Sequence, residues 1–182
     1  EGGAGRAGEW VAGVGAEWGL GVAKAVNPVD WAAEAKYAEN IGDQFSTDQP
    51  ENVMKWQVVE PTQGTYDWTA ADQLVQFAKA HGQLVHGHTL IWHNQLPSWL
   101  TGGTFTNDQL RALLKKHITD EVAHFKGNIW QWDVVNEAFN ADGPMRDTSC
   151  AGAPGANYPP EAVRRAQAAA PHAPPISDAH TP

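Results

Sequence analysis

Trp132-Asp133-Val134-Val135-Asn136-Glu137-Ala138-Phe139 closes an apolar run that begins at Asn128. Ile129, Trp130, Trp132, Val134 and Val135 fall on both parities of that run, so neither face of an extended chain would be polar. This is the pattern of a strand covered on two sides, as in a parallel sheet. The run then stops at a polar pair, Asn136-Glu137. A carboxyl group placed against Trp and Val surface is disfavoured in its charged form, which suits it to donate a proton near neutral pH. The plainer alternative is a glutamate that caps the next segment or pairs with a lysine.

Working towards the N-terminus, Gly19–Val26 reads as a first strand, stopped by Asn27-Pro28, and Asp30 offers a cap for a helix from Trp31 with Ala35, Ala38 and Ile41 at helical spacing. Phe45–Thr47 reads as a short second strand followed by a polar loop through Pro50. Asp67 or Thr69 caps the next helix, Leu74, Phe77 and Ala78 mark its apolar face, and Gly82 sits where a left-handed stop belongs. Gln83–Thr89 reads as a strand and Trp92–Gly103 as a long loop. Thr106-Asn107-Asp108-Gln109 has the capping-box pattern, and apolar residues from Leu110 to Phe125 recur at helical spacing before Gly127. The order is strand, helix, strand, helix, with no G-x-G-x-x-G after a strand to favour a dinucleotide fold. Polar residues gather where successive strands end: Glu51 and Asn52, His88, then Asn136 and Glu137. Barrel enzymes build their sites at that end, so the expected fold is α/β of the (β/α)8 TIM-barrel type.

Composition narrows the partners. The net charge of −9, with 21 acidic against 12 basic residues, argues against nucleic acid. No apolar run reaches the ~20 residues of a membrane span. The N-terminus carries no secretory leader pattern, and the chain is read as a processed form or a fragment. The single cysteine, Cys150, excludes an intramolecular disulfide and a Cys-rich metal site. Nine tryptophans are many for a core of this size. Packing is the ordinary role for any one of them, yet together they offer flat platforms for sugar rings.

Two further constellations carry chemistry. Gly87-His88-Thr89-Leu90-Ile91-Trp92-His93-Asn94-Gln95-Leu96-Pro97 sets imidazoles, an indole and a carboxamide just past a strand, groups suited to hydroxyls that both donate and accept. A metal site on His86, His88 and His93 is the rival reading, but no carboxylate cluster accompanies these residues. Pro50-Glu51-Asn52-Val53-Met54-Lys55-Trp56 adds Glu51, Asn52 and Lys55, a set able to grip hydroxyls through charge-assisted bonds.

In this order "PENVMKW", "GHTLIWHNQLPSW" and "WDVVNEAFN" closely resemble glycoside hydrolase family 10, the (β/α)8-barrel endo-β-1,4-xylanases, from about Asn27 to Thr148. The resemblance implies a retaining glycosidase with Glu137 as general acid/base and Asn136 holding a sugar 2-OH. It places Glu51, Asn52, Lys55, His88, Trp92 and Gln95 in substrate binding, and His93 behind the nucleophile. It implies xylan and xylo-oligosaccharides as partners, no cofactor, no metal, secretion to the extracellular space, and a monomeric complete enzyme. The family's nucleophile is a glutamate on a later strand. Here only Glu161 follows Glu137, at the start of an expected helix from Pro159-Pro160 to Ala170, so no nucleophile is assigned.

The expected organisation is therefore a poorly ordered lead-in over 1–18 and the N-terminal half of a barrel over 19–148. A degraded or aberrant continuation over 149–182 completes it, with Pro171–Pro182 lacking regular structure. A full barrel takes ~250 residues, so this chain is expected to hold the first four to five βα units and to have little activity alone. Two other readings stay open: a β-1,4-glucanase on the same framework and a non-catalytic xylan-binding remnant.

Overall fold

The structure, a computed structural model, describes residues 21–28, 30, 34–140, 142–146 and 158–172, with the backbone alone of 175–178. The expected lead-in, the helix start at Trp31 and the Gly/Ala/Pro-rich segment 149–157 lie outside the described residues.

Five strands form one sheet in the order β1-β2-β3-β4-β5, and every neighbouring pair is parallel. They are β1 (Ala23–Val26), β2 (Thr47–Pro50), β3 (Leu84–Trp92), β4 (Gln131–Asn136) and β5 (Pro175–Asp178). Helices α1 (Ala35–Gln44), α2 (Trp56–Val59), α3 (Thr69–Ala80), α4 (Ser98–Thr101), α5 (Asn107–His124) and α6 (Tyr158–Ala169) lie between them. A doubly wound sheet reverses its strand order at a switch point, whereas this one advances by a single neighbour each time. The sheet is therefore part of a (β/α) barrel, with β1 and β5 at its edges.

β4 forms as its sequence demands. All residues from Trp132 to Asn136 are buried, and Val134 and Val135 are fully so. Trp132 fits only because its neighbour on β3 is Gly87, where a Cβ would come within 2.3 Å of the indole. α5 begins with the expected capping box: the Gln109 amide donates to Thr106 Oγ1, and the Thr106 amide donates to Gln109 Oε1 at 2.7 Å. Gly82, just past α3, takes a φ of +68°, the left-handed stop its position called for. Asp67 does serve the start of α3, its Oδ1 accepting from the Thr69 amide at 3.0 Å.

Three boundaries differ from expectation. β2 runs over Thr47–Pro50 instead of Phe45–Thr47, because pairing with β1 throughout, and with β3 at Thr47 and Asp48, overrides the turn preference of Asp-Gln-Pro. β3 extends to Trp92, beyond Thr89, through ladder pairs of Ile91 with Val135 and Trp92 with Asn136; the loop after it holds the short helix α4. Pro175–Asp178, expected to be irregular, pairs with β4 as β5. Prolines are tolerated there because the strand is at an edge.

Most of the described tryptophans serve packing. Trp56 and Trp132 are buried, Trp56 stacks on His117 at 4.0 Å, and Trp68 stacks on Tyr66 and His124. No helix among the described residues is long and apolar enough to cross a membrane.

Candidate active site

Parallel register brings the strand ends together. Pro50 pairs with Val26, Trp92 with Asn136, and Asn136 with the backbone of Asp178. The residues just after these ends thus share one rim of the sheet, where Glu51, Asn52, Lys55, Trp92, Gln95 and Glu137 lie.

Glu137 follows the last residue of β4. Its Oε2 accepts a hydrogen bond from Trp92 Nε1 at 3.0 Å and lies 3.7 Å from His93 Nδ1. Its side chain is 28% exposed, so the apolar cradle expected from Trp and Val is replaced by one indole donor, one imidazole and an opening to solvent. Such an opening lets the carboxyl group meet a molecule from outside, which a carboxyl buried on all sides could not do. Glu137 has a φ of +52°, and so does Gln95; among the described residues they are the only non-glycine positions with positive φ. Left-handed backbone costs about 1–2 kcal/mol at a residue with a Cβ and clusters at functional sites.

Asn52 is the hub of the second group. Its Oδ1 accepts from Lys55 Nζ at 3.2 Å and from Gln95 Nε2 at 3.1 Å. Lys55 is buried, and its ammonium sits 4.4 Å from the centre of the Trp92 ring, a cation–π contact. Burial pulls the Lys55 ammonium below its usual pKa, while the charges of Glu51 and Glu137 work the other way. Glu51 itself is exposed and reaches this group through its charge. Asn52, Lys55, Gln95, Trp92 and Glu137 thus form one continuous polar chain along the rim.

His88 is anchored by a carboxylate of β4. Its Nδ1 hydrogen-bonds Asp133 Oδ2 at 2.8 Å, and His86 Nε2 lies 3.0 Å from Asp133 Oδ1. Burial pushes the Asp133 carboxyl up, but hydrogen bonding and charge from the two imidazoles outweigh it and hold the pKa at about 2. Asp133 fixes ring orientation much as a carboxylate does behind a ligating histidine. Sequence reasoning passed over it inside its own motif, because only the β3–β4 register sets it opposite His88. His93 stands apart from this pair, against Glu137 and the edge of Trp92. Among the described residues no group of three or more His, Cys, Asp or Glu is placed to hold an ion.

Asn136 is buried at the end of β4. Glu161, the one glutamate after Glu137, lies in α6 with its Oε1 3.4 Å from Arg165 Nη2. It belongs to the helix layer and does not join the rim.

Comparison with known proteins agrees with this geometry. Residues 13–176 match the profile of Glycosyl hydrolase family 10. The chain is 44% identical over 142 residues to endo-1,4-beta-xylanase D of Talaromyces funiculosus, covering 78% of this chain and 35% of that protein. It superposes on the crystal structure of xylanase 10B from Thermotoga petrophila RKU-1 in complex with xylobiose with a TM-score of 0.87 and 37% identity, over 92% of this chain and 52% of that one. Native xylanase 10B from Thermotoga maritima gives a TM-score of 0.81 at 40% identity, over 86% and 48%. The chain thus spans about a third of the curated relative's length and half of each solved structure. A sequentially wound parallel sheet, a glutamate at the end of its fourth strand and this breadth of likeness lead to one conclusion: the chain belongs to glycosyl hydrolase family 10.

Proposed function

We propose that this chain carries the acid/base side of a retaining endo-1,4-β-xylanase site. The observation that supports it most is the contact of Glu137 Oε2 with Trp92 Nε1, next to the Lys55–Asn52–Gln95 cluster. In the first step the Glu137 carboxyl gives its proton to the glycosidic oxygen as the bond to the anomeric carbon breaks, and a second carboxylate takes up that carbon. In the second step Glu137, now a carboxylate, removes a proton from the water that hydrolyses the glycosyl ester. Asn136 holds the 2-OH, and Glu51, Asn52, Lys55, His88, Trp92 and Gln95 line the glycone side. His93 supports the carboxylates. The xylosyl preference rests on the names of the relatives and on the xylobiose bound by the Thermotoga petrophila enzyme. The same kinship is the support for an extracellular location.

Among the described residues Glu161, the one glutamate after Glu137, is engaged in the helix layer and brings no second carboxylate to the rim. That observation also favours a binding-only role for these 182 residues by themselves. Calorimetry with xylo-oligosaccharides tests the shared core of both readings. Heat at millimolar ligand is expected, and Lys55→Ala should weaken binding roughly tenfold or more, the usual worth of a charge-assisted hydrogen bond. Absence of heat would remove the reading. A halo assay on xylan then separates catalysis from binding: no clearing is expected, and strong endo-activity would show that a second carboxylate is supplied after all.

A further inference from the structure

We propose that Arg146 is a positioning residue for the acid/base, locking the backbone of Glu137 and thereby aiming its carboxylate at Trp92. The proposal rests on the assignment of Glu137 made above.

Glu137 holds a left-handed backbone with φ +52°, a conformation that a residue with a Cβ keeps only when its surroundings impose it. The chain after β4 folds back on itself to do so. Phe139 and Met145 form an antiparallel bridge, the Asn140 amide donates to Pro144 O at 2.8 Å, and Gly143 turns the corner at φ +98°. This return brings Arg146 back beside the residues it follows. Its backbone amide donates to Ala138 O at 2.9 Å. Its side chain donates from Nε to Glu137 O and from Nη2 to Phe139 O, both at 3.2 Å. Three successive carbonyls, of residues 137, 138 and 139, are thus held by one residue. A planar guanidinium spans two of them from separate, fixed donors, a fork that an ammonium's single nitrogen does not offer.

The same charge acts on His93. That imidazole has a buried Nδ1 without a hydrogen-bond partner among the described residues, 3.7 Å from Glu137 Oε2. The charged groups acting on it there are Arg146 and Glu137. Burial first, and then the Arg146 charge, hold the His93 pKa below its usual value, against the pull of Glu137. A neutral His93 leaves the Glu137 carboxylate to Trp92 and to the substrate; a cationic one would compete for it. Arg146 lies outside the three sequence strings that carry the family resemblance, and only the return of the chain reveals it.

The test uses the full 182-residue chain with Arg146→Gln and Arg146→Lys, read by NMR. Arg146→Gln should move the His93 titration midpoint to higher pH, while Arg146→Lys, keeping the charge, should leave it near the parent value. Both variants lose the fork, so amide exchange at Asn140 should quicken about tenfold in each. A general loss of stability would move every amide alike and would not separate the two variants at His93. A His93 midpoint unchanged in Arg146→Gln, or exchange at Asn140 unchanged in both, would overturn the proposal. So would both variants failing to fold, since the role would then be structural. Failure of the xylanase reading would show independently, as absence of xylo-oligosaccharide binding by the parent chain.

Discussion

Replacing Asp48 by Asn should flatten the pH dependence of stability between about pH 4 and pH 7. Asp48 lies in β2 with its side chain wholly buried, and neither carboxylate oxygen has a hydrogen-bond partner among the described residues. Burial pushes its pKa from 3.8 to about 7, with only the charge of His81 opposing. The folded state therefore holds this proton more tightly than the unfolded state. Stability from this group is complete below pH 3.8 and is lost as pH rises through about 7. The window is about 3 pH units wide, and at about 1.4 kcal/mol per unit the loss is about 4 kcal/mol. That is a large share of a domain's usual 5–15 kcal/mol. Asparagine keeps the shape and removes the proton. Urea unfolding followed by tryptophan fluorescence at pH 4.5, 5.5, 6.5 and 7.5 reads the effect. Glu121, also fully buried and raised by burial, works in the same direction, so Asp48→Asn should reduce the slope and the double variant with Glu121→Gln should reduce it further. Parallel profiles for the parent and Asp48→Asn across this range would refute the reasoning.

Two stability predictions follow from packing and capping. Gly87→Ala should destabilise the chain by about 1–3 kcal/mol or more, because the new methyl would press to within 2.3 Å of Trp132, a neighbour that is itself buried; a urea midpoint equal to the parent's would contradict this. Thr106→Ala should cost about 1 kcal/mol by removing the acceptor for the Gln109 amide at the start of α5, measured by the same unfolding assay. A Thr106→Ser variant should restore most of that loss.

That several polar residues would gather at one end of the sheet is legible in the sequence. Glu137, Trp92, Asn52, Lys55 and Gln95 were expected near one another, and the structure brings them to one rim. His88, expected with them, has its ring oriented by Asp133 through Nδ1. Asp133, His86 and Arg146 act through contacts that no motif spacing encodes.

The division has a physical cause. Hydrophobic period, caps and left-handed glycines depend on residues within a few positions of each other, and so the alternation of strands and helices, the capping box of α5 and the stop at Gly82 were legible in one dimension. The motif strings likewise carried the family. Strand register was not legible, because it is settled by side chains packing across the sheet. It alone decided that Asp133 meets His86 and His88 across 45 residues or more and that β2 ends at Pro50, while the packing of β2 and of α5 took Asp48 and Glu121 out of contact with water. Only the fold, closing the chain back upon β4, could set the left-handed turn at Glu137 and place a guanidinium over it.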